Sequence, residues 1–174
     1  MTLFLVRHGR PLVDPSMPAH EWPLDPAAYD DVVALAPRLP QHAAWYCSPE
    51  LKAVETAQLL THGPIGMVDA LVEHRRGADW VEDFQATVRR AFERPDVPAH
   101  PGWEPLADCR ARIALAGREI LATHGGEDVV LVGHGTAWTV LAAELTDAPP
   151  DLDRWASLAM PDVIEIGDGD LGHA

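Results

Sequence analysis

The chain has 174 residues, of which 47% are hydrophobic and 23% charged, so it has the composition of one globular domain and not of a disordered or fibrous chain. Its formal net charge of −14 at pH 7 argues against nucleic acid or an anionic membrane as a partner, because both are bound by basic faces. It has no apolar run near the roughly 18 residues of a membrane-spanning helix, no basic lead typical of a signal peptide and only two cysteines, so we expect a single cytoplasmic domain over residues 1–174.

Short apolar strands alternate with helices along the chain. The pattern predicts strands at residues 3–6, 43–47, 65–68, 129–132 and 163–166, and helices over 29–39, 48–60, 79–92, 105–124 and the residues that follow 135. Prolines predict loops at residues 11–26 and 94–102, since proline resists helix interiors. Ser48 and Pro49 have the sequence pattern of a helix start, with a hydroxyl cap before the proline. The alternation predicts an α/β domain with a mainly parallel sheet flanked by helices.

Two histidines follow the most apolar predicted strands, and each is next to glycine. Arg7-His8-Gly9 ends the first strand, and Gly133-His134-Gly135 follows residues 129–132. In parallel sheets, binding sites lie beyond the carboxyl ends of the strands, and glycine permits close approach of a ligand. The matching context of the two histidines favours a functional site over two unrelated loop histidines.

Five segments in this order resemble the histidine phosphatase superfamily, which includes the cofactor-dependent phosphoglycerate mutases. They are residues 5–9 (Leu-Val-Arg-His-Gly), 48–57 (Ser-Pro-Glu-Leu-Lys-Ala-Val-Glu-Thr-Ala), 71–77 (Leu-Val-Glu-His-Arg-Arg-Gly), 102–104 (Gly-Trp-Glu) and 130–135 (Val-Leu-Val-Gly-His-Gly). The resemblance covers most of the chain and implies the three-layer, phosphoglycerate mutase-like α/β fold.

The resemblance also implies roles for individual residues. His8 corresponds to the nucleophile that forms a phosphohistidine, and Glu73 to the proton donor. The expected phosphate contacts are Arg7, Lys52, His134 and Gly135. Phosphoryl transfer needs an in-line nucleophile, cations on the equatorial oxygens and an acid for the leaving group, and these residue types supply all three.

Three positions depart from the family pattern. Lys52 stands where the family usually has arginine, Arg10-Pro11 follows the first motif, and Trp138 stands where an arginine is frequent. We expect the first departure to affect catalytic strength and the other two to affect substrate choice. Arg10, Arg75 and Trp138 are therefore candidate specificity residues, and the segments 11–26 and 77–102 are expected to shape the substrate site.

The sequence thus predicts a phosphatase for a small phosphorylated substrate that needs no metal or cofactor, since its histidines and cysteines lack metal-ligand spacing. A mutase is the nearest alternative, although the chain is short for segments that would shield a phosphoenzyme from water. A phosphate-binding module without turnover is a second alternative, because Lys52 replaces an arginine. Glu73 argues against a phosphohistidine protein phosphatase, since such members tend to lack the acid. Oligomeric state is not predicted.

Overall fold

In the computed structural model, which describes residues 1–40 and 42–172, five strands and six α-helices alternate along the chain. Their bounds are β1 (Thr2–Arg7), α1 (Tyr29–Leu35), β2 (Ala44–Cys47), α2 (Leu51–Leu60), β3 (Ile65–Met67), α3 (Phe84–Glu93), α4 (Leu106–Thr123), β4 (Val129–Gly133), α5 (Gly135–Thr146), α6 (Leu152–Ser157) and β5 (Asp162–Gly167). The predicted strands agree with these within one residue at either end.

The strands form one sheet in the order β3-β2-β4-β1-β5. Strands β1, β4, β2 and β3 are parallel, and β5 pairs antiparallel with β1. In the β1–β4 pair, Arg7 is opposite Gly133, so the two strands end at the same level. The next residue of each strand is a histidine, and this register brings His8 and His134 to one edge of the sheet.

Side chains of the sheet alternate between two hydrophobic cores, as expected for strands covered on both faces. Leu3, Leu5 and Leu131 pack with residues of α4 and α5 on one face. Phe4 and Val132 pack with residues of α1 and α2 on the other. The three-layer α/β architecture predicted from the sequence is therefore confirmed.

The structure corrects three helix predictions and adds one helix. The helix expected over residues 29–39 ends as an α-helix at Leu35 and is followed by a 3-10 turn at Ala36–Arg38. The helix expected from residue 48 begins at Leu51 with Glu50 as its N-cap, because the Ser48 hydroxyl contacts His134 instead of capping the helix. The helix expected from residue 79 begins at Phe84, where the Asp83 side chain accepts a hydrogen bond from the Ala86 amide at 3.2 Å. Helix α6 was not predicted at all.

Among the described residues, no helix is both long enough and apolar enough to cross a membrane.

Candidate active site

A cavity of about 1040 Å³ opens at the carboxyl ends of the parallel strands. Both histidines line it, together with five of the thirteen basic residues of the chain and, among the described residues, two of the twenty-seven acidic ones. The basic residues are Arg7, Arg10, Lys52, Arg75 and Arg76, and the acidic ones are Glu50 and Glu73. The strongly acidic protein therefore concentrates positive charge in one place, as an anion site requires.

His8 is held with its reactive nitrogen unoccupied. Its Nδ1 lies 2.7 Å from the carbonyl oxygen of Gly9; because a carbonyl only accepts, the proton is on Nδ1, and Nε2 keeps its lone pair. Burial lowers the pKa of His8 well below its ordinary value, and the nearby His134, Lys52 and Arg7 lower it further. His8 is thus a neutral imidazole, which is the form that acts as a nucleophile.

His134 lies edge-on to His8, with 5.3 Å between the ring centroids. Its Nε2 is 2.8 Å from Ser48 Oγ and 3.3 Å from Glu50 Oε1. Burial lowers the pKa of His134, and the carboxylates of Glu50 and Glu73 partly oppose this effect. The adjacent Gly135 begins α5 and also lines the cavity.

Glu73 is fixed by backbone amides of two segments. Its Oε1 accepts hydrogen bonds from the amides of His74 and Ala137, both at 2.9 Å, and its Oε2 accepts one from the Thr136 amide at 3.2 Å. Burial raises the pKa of Glu73, but Arg76, His134 and the amides outweigh burial and lower it to about 2. Glu73 is therefore an ionised carboxylate at neutral pH.

Lys52 is buried in the cavity wall, in the first turn of α2. Its ammonium donates to Glu50 Oε2 at 2.6 Å and to the Ala19 carbonyl at 2.7 Å. Since an ammonium has three donors, one remains for a ligand. The second contact also joins the 11–26 loop to the basic wall of the cavity.

Two arginines complete the cationic wall. Arg7 donates through Nη1 to the Leu158 carbonyl at 2.5 Å. Arg76 donates to Thr136 Oγ1 at 3.0 Å, and its guanidinium lies 4.6 Å from the ring centroid of Phe84. Such contacts hold a guanidinium plane in one orientation and leave its other donors for an oxyanion.

Two of the three candidate specificity residues lie at the cavity and one does not. Arg10 and Arg75 are exposed and line the cavity, with Arg10 paired to Asp25 at 3.2 Å. The expectation for Trp138 is wrong: its ring is fully buried in the core and its Nε1 donates to the Val6 carbonyl at 2.7 Å. The ring packs so closely on Gly133 that a Cβ there would lie 2.6 Å from it.

Sequence reasoning missed three contributions to the site. The sequence pattern assigns no role to Glu50, although it is next but one to Lys52. Arg112 holds the backbone around Glu73, donating to the carbonyls of Ala70, Val72 and Glu73 and to the Glu104 carboxylate. The 11–26 loop lines the cavity as predicted, but the 77–102 segment does so only through Gly77, Phe84 and Gln85, and none of residues 94–102 lines it. A further part of the wall comes from residues 155–160, in and after the unpredicted α6.

A second cavity, of about 600 Å³, lies at the amino ends of β2 and β4, near Ala43 and Asp128. None of the predicted site residues lines it. Among the described residues, no group of three or more histidine, cysteine, aspartate or glutamate side chains is arranged to hold a metal ion.

The family model described as "Histidine phosphatase superfamily (branch 1)" matches residues 3–167. The chain belongs to the histidine phosphatase superfamily. Comparison with curated proteins gave no match.

Solved structures of histidine phosphatase-like proteins are similar to this chain over nearly its full length. Bacillus stearothermophilus YhfR is 29% identical, with 99% of this chain and 94% of that chain covered and a TM-score of 0.77. A phosphoserine phosphatase mutant from Entamoeba histolytica, solved in complex with phosphoserine, is 16% identical, with 94% and 89% covered and a TM-score of 0.75. A phosphoglycerate mutase from Bacillus anthracis is 21% identical, with 95% and 87% covered and a TM-score of 0.73. The similarity to the last two structures shows only that they share the fold of this chain.

Proposed function

We propose that this histidine phosphatase superfamily member is a metal-independent phosphatase that hydrolyses a small phosphomonoester through a phosphohistidine on His8. The observation that carries the proposal is the hydrogen bond from His8 Nδ1 to the Gly9 carbonyl, which leaves Nε2 unprotonated in a cavity walled by Arg7, Lys52 and Arg76. A nucleophile with a free lone pair among fixed cations suits attack on a phosphoryl group.

In the first step, His8 Nε2 forms a bond to phosphorus while the bond from phosphorus to the leaving oxygen breaks. The Glu73 carboxylate takes the proton that a monoanionic substrate carries and gives it to that oxygen, and the alcohol departs. Arg7 and Lys52 stabilise the charge that collects on the three equatorial oxygens, and His134 is placed to contact the same group.

In the second step, water attacks the phosphorus of the phosphohistidine. The Glu73 carboxylate takes one proton from the water, the bond between phosphorus and Nε2 breaks, and inorganic phosphate leaves. His8 returns to the neutral form with its proton on Nδ1. We propose no metal or organic cofactor for either step, because the nucleophile, cations and acid are all supplied by side chains.

The proposed substrate is a small phosphorylated molecule, not nucleic acid or a membrane surface, since the basic residues gather inside a cavity of an otherwise acidic protein. We also propose a cytoplasmic location. The two cysteines, Cys47 and Cys109, are both free and buried, as in proteins of reducing compartments.

The test is hydrolysis of p-nitrophenyl phosphate and of a panel of phosphorylated metabolites by the purified protein. We expect phosphate release that disappears in His8→Ala and persists in a matched control, His62→Ala, which alters an exposed histidine at the second cavity. Phosphoryl transfer to an acceptor in place of water would indicate a mutase. Phosphate binding without turnover would indicate a binding module and overturn the proposal.

A further inference from the structure

A buried carboxylate lies inside the cavity that we propose for an anion. Glu50 is only 8% exposed and lines the cavity between Lys52 and His134. A carboxylate near a phosphoryl group repels it, and burying a charge is costly unless it is paired. We therefore expect Glu50 to make contacts that offset both the repulsion of the phosphoryl group and the cost of burying its charge.

One Glu50 oxygen fixes the Lys52 ammonium. Glu50 Oε2 accepts from Lys52 Nζ at 2.6 Å, and the Ala19 carbonyl accepts a second hydrogen bond from the same nitrogen. Lysine carries a compact charge on a flexible stem, whereas arginine has a rigid planar fork. With two donors anchored, the third donor of Lys52 has one defined direction.

The other Glu50 oxygen faces His134 and the segment that carries the acid. Glu50 Oε1 is 3.3 Å from His134 Nε2 and accepts from the Glu73 amide at 3.0 Å. Burial raises the pKa of Glu50, but His134, Lys52 and the Glu73 amide outweigh burial and lower it. The Ser48 hydroxyl, 2.8 Å from the same His134 nitrogen, can donate or accept, whereas an ionised carboxylate only accepts. Glu50 therefore favours the His134 tautomer that has its proton on Nε2.

This placement of the proton limits what His134 can offer a phosphate. Its Nδ1 is buried and has no hydrogen-bond partner within residues 1–40 and 42–172. A dianionic phosphoryl group only accepts, so Nδ1 can donate to it only if the ring carries both protons. The imidazolium then needs a counter-charge at Nε2, where Glu50 lies.

We propose that Glu50 is a positioning residue that holds Lys52 and His134 in the orientation in which both contact the phosphoryl group. The inference rests on the proposed phosphatase function and adds to it a residue that acts through two others. His134 is also faced by His8 after β1, by Lys52 on α2, and by Glu73 and Arg76 from the segment before α3. Of the two carboxylates near His134, those of Glu50 and Glu73, that of Glu50 contacts Nε2.

The first test is Glu50→Gln, which keeps the size of the side chain and removes its charge. We expect kcat to fall about ten- to a hundredfold, as for loss of a hydrogen bond to a charged group. The Kd of inorganic phosphate should be unchanged or lower, because removal of a repelling charge outweighs the weaker contacts from Lys52 and His134. Glu144→Gln, which alters a carboxylate on α5 that does not line the cavity, is the matched control and should change neither quantity.

An unchanged or higher kcat in Glu50→Gln would overturn the proposal, since Glu50 would then only repel the substrate. Equal losses of kcat and phosphate affinity, with a lower free energy of unfolding, would show a merely structural role. If Glu50→Gln does not fold, Glu50→Asp keeps the charge but shortens the reach, and full kcat in that variant would also overturn the proposal.

Two further measurements identify the route by which Glu50 acts. Ring ¹⁵N shifts should show that Glu50→Gln lowers the pKa of His134 in the complex with inorganic phosphate, because the counter-charge is lost; an unchanged pKa would refute the His134 part. In a cycle with Lys52→Met, the effects of the two substitutions on kcat should not be additive, and additive effects would refute the Lys52 part. If the wild type hydrolyses nothing, the phosphatase proposal fails, whereas the shift measurement still decides whether Glu50 acts on His134.

Discussion

The ionised state of Glu73 sets a condition on its expected role as the acid. Three backbone amides and Arg76 hold its carboxylate, and its pKa is lowered to about 2. At pH 7 a carboxyl group with that pKa is protonated in roughly one molecule in 10⁵, and protonating it costs about 7 kcal/mol. The Glu73 carboxylate by itself therefore does not hold the proton that the leaving group needs.

The substrate is the natural source of that proton. A phosphomonoester has its second pKa near about 6, so its monoanion can carry one proton into the site. The negative charge of the bound phosphoryl group also raises the pKa of Glu73, which lets Glu73 take the proton and pass it to the leaving oxygen. We therefore predict that kcat/KM for an alkyl phosphate falls with rising pH above about pH 6, up to tenfold per pH unit.

A leaving group that departs without a proton should be insensitive to this limit. For p-nitrophenyl phosphate we expect no comparable fall between pH 6 and 8. Glu73→Gln should lower kcat for the alkyl phosphate by about 10²–10⁴-fold, the usual contribution of a general acid, and affect nitrophenyl phosphate by less than about tenfold. Steady-state pH profiles of both substrates measure this; equal losses in Glu73→Gln, or alkyl phosphatase activity that rises from pH 6 to 8, would refute the reasoning.

Three other changes test separate parts of the site. His8→Ala should abolish turnover and the acid-labile, base-stable adduct that rapid-quench mass spectrometry is expected to find on His8, whereas saturating EDTA should leave wild-type activity unchanged. Lys52→Ala should lower the single-turnover rate more than about a hundredfold, since both charge and donor are lost, and Lys52→Arg should retain or raise it; two near-wild-type rates would exclude Lys52 from the phosphate contacts. Trp138→Phe should lower the free energy of unfolding in urea by about 1–3 kcal/mol, because the Val6 carbonyl loses its buried donor, with kcat within about twofold; altered substrate preference at unchanged stability would contradict its place in the core.

The strands and the two histidine turns were predictable because their signals are local. Strands β1 and β4 are runs of apolar residues buried on both faces, and a parallel arrangement necessarily brings their carboxyl ends together. Helix α6 gave no such signal, since six residues with one buried side chain, Trp155, carry no helical period. The start of α3 was missed because Asp83, its cap, lies inside a segment that reads as a continuous amphipathic helix.

The roles of Glu50 and Trp138 could not be found from local patterns. Glu50 stands at the start of a helix, where acidic residues are common for electrostatic reasons, and its partner His134 is far away in sequence. Trp138 is on the helix after the second histidine, but α5 is buried around most of its surface, so a position expected to influence substrate choice faces the core. Both outcomes depend on tertiary packing.

The amides at the start of α5 bind a carboxylate of the protein itself. A helix N-terminus commonly binds an anionic ligand, yet here the amides of Thr136 and Ala137 donate to Glu73. A phosphoryl group must then rely more on side-chain cations, and Lys52 and Arg76 each lie beside a carboxylate of the cavity. In the proposed mechanism Glu73 transfers a proton and Glu50 positions Lys52 and His134, so removal of either negative charge should increase the net positive charge of the cavity while lowering turnover. When Glu50 or Glu73 is replaced by glutamine, phosphate affinity is thus expected to rise while turnover falls.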